Sequence, residues 1–369
     1  MSWLFDHTQQ ASVLATSHTD KYWLVLDTRI TTLPDEMWAA ITTADGTDIH
    51  VWNESRTVEY PRYCVNLNTG TKNIQLWAVL GSLSDVVDVK YVIEVGGEVV
   101  AFTASPYAGH WPLEGVSDIS ANENNLTNVD STPFEAAEIE NGAHFDGTND
   151  YLWSNDVSHY ASLTTGHVSF CFNFDVDNDS IPVIFGVDRD ADATLTYMNF
   201  GLRFKNTGAP RDDTFQLLLN VDGVTKWHYT FGSNWTDGKA GNWYRVVVVQ
   251  NGTAPVAYVN GSLIALSSVN TNDTTKWFKA VITDAVSKSD SLEIGAQKTN
   301  GGFNRPFDGL VDDCHISDDI WSANEVADHD ANISDPDSFW VSSNWRASSS
   351  LKYPVFQRYG QKVMQTYFN

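Results

Sequence analysis

A chain of 369 residues with 42% hydrophobic and 12% aromatic residues, 14 Trp among them, has enough apolar mass for two packed units and leans towards β structure. A formal charge of −25 argues against direct nucleic-acid binding, which needs clustered Lys and Arg. Three cysteines cannot make a disulfide framework, and no apolar run is long enough for a membrane-crossing helix.

Residues 1–20 read as an N-terminal segment without the charged and apolar regions of an export leader. Residues 21–100 read as a small β-domain, with strands expected around Tyr22–Leu26, Ile49–Trp52, Ile74–Val79 and Val87–Ile93. A short linker crosses Pro106. From 108 to 327 helical periodicity is nearly absent and alternation dominates. Phe215, Leu217, Leu219 and Val221 face one way, with Gln216 and Asn220 between them, and Val168, Phe170, Phe172 and Phe174 repeat the pattern. Asp222-Gly223, Asn251-Gly252 and Asn260-Gly261 supply hairpin turns. The run Val246 to Val249 lacks alternation, as a strand covered on both faces does, and Trp243 before it is expected to anchor the sandwich. Ser322 and Glu325 have the spacing of a capping box for a short helix. After 327 the apolar pattern dissolves, and residues 328–369 read as an aromatic, locally basic arm.

Several of these stretches resemble a known pattern in the right order. They are His110 to Glu114 with Asp118 to Asn122, and Ala143 to Tyr151 around Phe145-Asp146-Gly147. Trp243 to Val249 with Tyr258-Val259-Asn260-Gly261, Leu292 to Gly295, and Phe307 to Asp313 with Trp321 to Val326 complete the series. Together they resemble the laminin-G-like, concanavalin-A-like jelly roll of lectins and glucanases. The stretch Asp45-Gly46-Thr47-Asp48-Ile49, followed by Glu59-Tyr60, resembles a small β-module of unassigned function that often precedes such domains. The expected fold class is therefore all-β, a small N-terminal β-domain followed by an antiparallel jelly-roll sandwich.

The resemblance implies where chemistry should lie. Glucanases of this class carry paired carboxylates on one strand. The nearest stretch, Glu135 to Glu140, lacks the alternation, so no catalysis is expected. The acidic series Asp175, Asp177, Asp179 and Asp188, Asp190, Asp192 lack the spacing of an EF-hand. By resemblance, one calcium ion is expected at Asp146 and Asp312, with turn formation as the competing role of Asp146. Trp235, Trp277 and Tyr197 are the candidates for stacking on a glycan, with core packing or a subunit contact as the competing role. The ten His are scattered without metal-ligand spacing and read as satisfied or exposed. Fold alone leaves function open. Laminin-G-like domains act outside cells, and phage particles leave by lysis without export signals. The expectation is thus a virion structural or attachment protein with a lectin-like domain for cell-surface glycans. The alternative is a secreted carbohydrate-binding or adhesion protein. In the first case Trp345, Tyr353, Phe356, Arg358 and Tyr359 should pack against other virion proteins or a second copy.

Overall fold

A computed structural model describes residues 3–11, 24–26, 35–53, 57–78, 90–95, 99–175, 182–189, 196–203, 214–231, 240–282, 290–299, 302–334 and 340–347. Two antiparallel sheets of eight strands each form the larger unit. The first sheet runs Ser262–Ile264, Pro255–Val259, Tyr244–Gln250, Gly166–Phe174, Asp308–Ser317, Asn141–Asp146, Phe134–Ala136, with Gly109–Trp111 also paired to Asp308–Ser317. The second runs Leu266–Thr271, Val224–Phe231, Thr214–Val221, Tyr197–Arg203, Val183–Arg189, Asp290–Ile294, Tyr151–Ser154, Thr127–Val129.

The alternation read from the sequence places the core. Phe170, Phe172, Phe185, Phe200, Phe215, Leu217, Val246 and Val248 interdigitate between the sheets. Two hairpins are closed by Asp222-Gly223 and Asn260-Gly261, all four residues at positive φ as tight two-residue turns require. Gly309 has a different reason: at φ +140, a Cβ there would meet the Asn173 carbonyl oxygen at 2.2 Å. Trp243 is only half-buried, and Tyr244 takes the core position expected of it, because the strand's alternation starts one residue later.

The smaller unit has a four-stranded sheet, Trp340–Ala347, Trp3–Ala11, Lys90–Val95, Ile49–Asn53, and a three-stranded sheet, Leu24–Leu26, Asn73–Ala78, Arg62–Asn68. The Asp45-Gly46-Thr47-Asp48 motif is structural. Asp45 Oδ1 accepts the Thr47 N–H in a tight turn, while buried Asp48 accepts from Thr42 and Thr43. His50 Nδ1 lies 2.7 Å from Glu59, which Arg62 also pairs.

Three features of the chain's organisation differ from the expectation. Part of the 1–20 segment is a sheet strand, and the 327/328 boundary falls inside the helix Ala323–Ser334. The helix begins with the capping box: the Ser322 N–H donates to Glu325 Oε2 (2.7 Å) and the Glu325 N–H to Ser322 Oγ (3.3 Å). Nor does the linker separate two cores. A second cluster joins Trp38, Val51, Leu76, Trp77 and Ile93 of the small unit to Tyr107, Val247, Val249, Tyr258, Trp321, Val326 and Ile333. The outer face of the first sheet is thereby covered.

Candidate functional site

The outer face of the second sheet has the opposite character. Because Phe215, Leu217 and Leu219 point into the core, Gln216, Leu218 and Asn220 point away from it. Pairing then aligns residues from separate hairpins. One row reads Trp153, Glu293, Gly186, Asn199, Leu218, His228. The next reads Ser291, Asp188, Tyr197, Asn220. Neighbours in a row lie about 5 Å apart at Cα.

These polar side chains are enclosed: Glu293 and Asn199 are 0% exposed, Gln216 3%, Asp188 4% and Asn220 9%. Burying an amide without a partner costs about 1–3 kcal/mol. Among the described residues Asn199 has no hydrogen-bond partner on either side-chain atom, and Asn220 has none on its amide oxygen. Gly186 leaves room for two of these acceptors to lie over its backbone. A Cβ there would meet Asn199 Oδ1 at 3.0 Å and Glu293 Oε2 at 3.3 Å. Ser291 Oγ donates to the other oxygen of Glu293 and so orients the carboxylate. Half-buried Tyr197 and Trp153 flank the polar groups, and burial raises the Tyr197 hydroxyl above its ordinary pKa, keeping it a donor. The two rows hold two carboxylates, two amides with both donor and acceptor atoms, and no Lys or Arg. Such a surface suits a neutral, hydroxyl-rich ligand, whose O–H groups donate to carboxylates and accept from amides.

Of the expected glycan contacts among the described residues, Tyr197 is on this surface and Trp277 is not. Trp277 is 1% exposed and packs edge-on to Phe278 and near Trp227 and Phe200, so it belongs to the apolar core between the sheets and not to this face. Trp235 lies outside the described residues. Asp188, the first member of its acidic series, is on a strand. Glu135 and Glu138 are engaged elsewhere, with His144 and Arg245 respectively.

The two calcium candidates do not meet. Asp146 is opposite Asp308, four residues before Asp312 on the same strand, hence about 13 Å away along it. Exposed Asp146 makes its turn, its Oδ1 accepting the Thr148 N–H at 2.8 Å. Asp312 is fully buried, accepts the Ile139 N–H at 2.7 Å and is raised well above the usual carboxylate range by that burial. Of the assembly candidates, Trp345 lies in Trp340–Ala347, whose backbone pairs with the chain's own Trp3–Ala11. Tyr353, Phe356, Arg358 and Tyr359 lie outside the described residues.

Residues 146–327 match the concanavalin A-like lectin/glucanases superfamily. No curated protein matches the chain. Among solved structures, domain 4 of AbnA, an extracellular arabinanase from Geobacillus stearothermophilus in complex with arabinotriose, is 16% identical. The match covers 60% of this chain and 97% of that one, with a TM-score of 0.40. A sialidase carbohydrate-binding domain from Ruminococcus gnavus, bound to α2,3-sialyllactose, is also 16% identical over 50% of this chain and 91% of its own (TM-score 0.36). Tailspike protein 2 of the Escherichia coli O157:H7 bacteriophage CAB120 is 14% identical over 56% of this chain and 27% of its own (TM-score 0.43).

Proposed function

Starting from residues 146–327 as a member of the concanavalin A-like lectin/glucanase superfamily, we propose that the protein is a non-catalytic carbohydrate binder that takes a neutral glycan on the outer face of its second sheet. The observation that supports this reading is a polar outer face on which half-buried Tyr197 and Trp153 flank the Asn199 amide, neither atom of which is partnered among the described residues. A sugar diol pairs such an amide through one hydroxyl that donates and one that accepts.

The test is binding to a panel of neutral and acidic polysaccharides, by array and then calorimetry, with release of reducing ends measured alongside. We expect affinity for a neutral polysaccharide, no cleavage, and at least a tenfold loss of affinity in Asn199→Ala. That loss corresponds to about 1.4 kcal/mol. The same variant should melt no lower than the parent, since it removes an unpartnered buried amide. Absence of binding across the panel, or an Asn199→Ala protein that binds as well, would overturn the reading.

Within it we place the protein on a virion, with a secreted adhesion protein as the alternative. Trp340–Ala347 supports an assembly role. It is an edge strand, with one side paired to Trp3–Ala11 and no strand on the other among the described residues. An open edge accepts a strand from a second chain. Incorporation into particles, lost when residues 340–369 are deleted, is the expected result. A monomer with or without them would favour the secreted alternative.

A further inference from the structure

At the seam between the two units lies a histidine cluster that the glycan-binding reading does not use. Four side chains from three elements converge. His110 comes from Gly109–Trp111, Asp313 and His315 from Asp308–Ser317, and His329 from the helix Ala323–Ser334. They are between 0% and 2% exposed. His110 Nε2 is 3.1 Å from Asp313 Oδ1, His315 Nδ1 is 4.0 Å from the same oxygen, and His329 Nε2 is 3.8 Å from Asp313 Oδ2. One ligand atom each from His110, Asp313 and His315 lies within 4.8 Å of the others.

The backbone is bent to make this arrangement. The strand Asp308–Ser317 carries an extra residue opposite Ser169 to Cys171, and Asp313 sits there at φ +43. Val311 and Cys314 both face the sandwich core, so the bulge turns Asp312 and Asp313 to the same outer face. Neither ring nitrogen of His315 has a hydrogen-bond partner among the described residues, and neither does Asp313 Oδ2. Donors that are enclosed, convergent and without partners are those a metal ion satisfies.

We propose that His110, Asp313, His315 and His329 form a closed structural site for one zinc-class divalent ion, which ties the first strand of the jelly roll to its closing strand and final helix. Three imidazoles and one carboxylate are a donor set of borderline softness, suited to zinc rather than to calcium or magnesium. The surroundings are those of a structural site. The Ser105 hydroxyl lies 3.0 Å from the other nitrogen of His110 and fixes its ring. Tyr107 stacks on His315 at 4.3 Å, Trp321 is 4.9 Å from His329 between ring centroids, and Trp77 of the small unit stands edge-on to His110 at 5.0 Å. These rings wall the cluster with apolar surface. Because Trp77 and Tyr107 belong to the small unit and the linker, the ion would also brace the shared core from beneath.

The full-length protein, purified without chelator, is assayed for metal by plasma mass spectrometry, then stripped and reloaded with Zn²⁺, Co²⁺ or Ca²⁺. We expect about one zinc-class ion per chain, and a melting temperature several degrees higher with Zn²⁺ than after stripping. Co²⁺ should give the visible absorption of a tetrahedral site, and Ca²⁺ should restore nothing. His315→Ala should lose both the ion and the absorption. Should that variant not fold, His329→Gln, on the helix surface of the cluster, reads the same loss. A folded parent protein that takes up no Zn²⁺ or Co²⁺ on reloading would overturn the site and leave a buried histidine cluster without a metal. Stabilisation by Ca²⁺ alone would overturn it too.

Discussion

The two outer faces of the sandwich are built from the same kind of strand and have opposite fates. On the first sheet, Val247 and Val249 alternate with the core residues Val246 and Val248, and all four are apolar because the small unit covers that face. On the second, Gln216 and Asn220 alternate with Phe215, Leu217 and Leu219, and the outward positions of neighbouring strands carry Glu293, Asp188 and Asn199. Both faces are enclosed, yet only one is apolar. Burial by itself therefore does not separate scaffold from site; the chemistry of what is buried does. An apolar face is satisfied by packing, whereas a polar face needs a partner for each donor and acceptor.

Charge insertion is the sharpest way to break this contrast. Val249→Asp puts a carboxylate into the shared core that also holds Trp321 and Val326, and should cost about 3–5 kcal/mol. Leu218→Asp, on the polar row of the second sheet, should cost about 1 kcal/mol or less. Chemical denaturation of both variants checks the pair. Equal losses would mean that the outer face of the second sheet is packed core as well.

How much of this was legible beforehand follows the range of the signal. Hairpins such as Asp222-Gly223 and the capping box at Ser322 are local, so a few adjacent residues specify them. The covered face was legible in the unbroken run Val246 to Val249, although what covers it was not. The polar rows escaped because each strand contributes one or two side chains, and only register brings Glu293, Gly186 and Asn199 side by side. Gln216 and Asn220 were visible as the polar half of an alternation, and that was the available signal. Trp277 carried two readings, glycan contact and core packing, which residue type alone does not separate; next to the short helix Phe278–Val281 it is buried in the core. The histidine cluster joins positions 110, 315 and 329, whose one local trace is Asp313-x-His315, and the bulge that aims Asp313 leaves no pattern in the sequence.

A smaller effect tests the acid groups behind the first sheet. Glu114 accepts the Asn141 N–H at 3.0 Å and an Asn141 side-chain N–H at 2.7 Å, yet burial, with the Glu140 charge adding to it, pushes its carboxyl up to about 7. Its ordinary value is 4.5. The folded state therefore holds a proton that the unfolded chain has released, and stability falls as pH rises from about 4.5 to 7, then levels. Glu114→Gln should flatten that part of the stability–pH curve by about 1–2 kcal/mol after allowance for solvent screening. Parallel curves for parent and variant between pH 4.5 and 7 would show that folding does not raise the Glu114 carboxyl above its ordinary value.

The smallest expected effect concerns the cover itself. The helix Ala323–Ser334 presents Val326 and Ile333 to the shared core, and its first turn is held by the reciprocal bonds between Ser322 and Glu325. Ser322→Ala removes the hydroxyl that accepts the Glu325 N–H but leaves the Ser322 backbone N–H able to donate to the Glu325 carboxylate. Half of the box survives, so the loss should be about 1 kcal/mol, a few degrees in melting temperature. Its distribution is more informative than its size. If helix and small unit cover the first sheet as one cooperative body, amide exchange should speed up equally in 323–334 and in the strand Asn73–Ala78. Faster exchange confined to the helix would mean that it frays alone, and that the small unit holds its place on Val247, Val249 and Tyr258 without it.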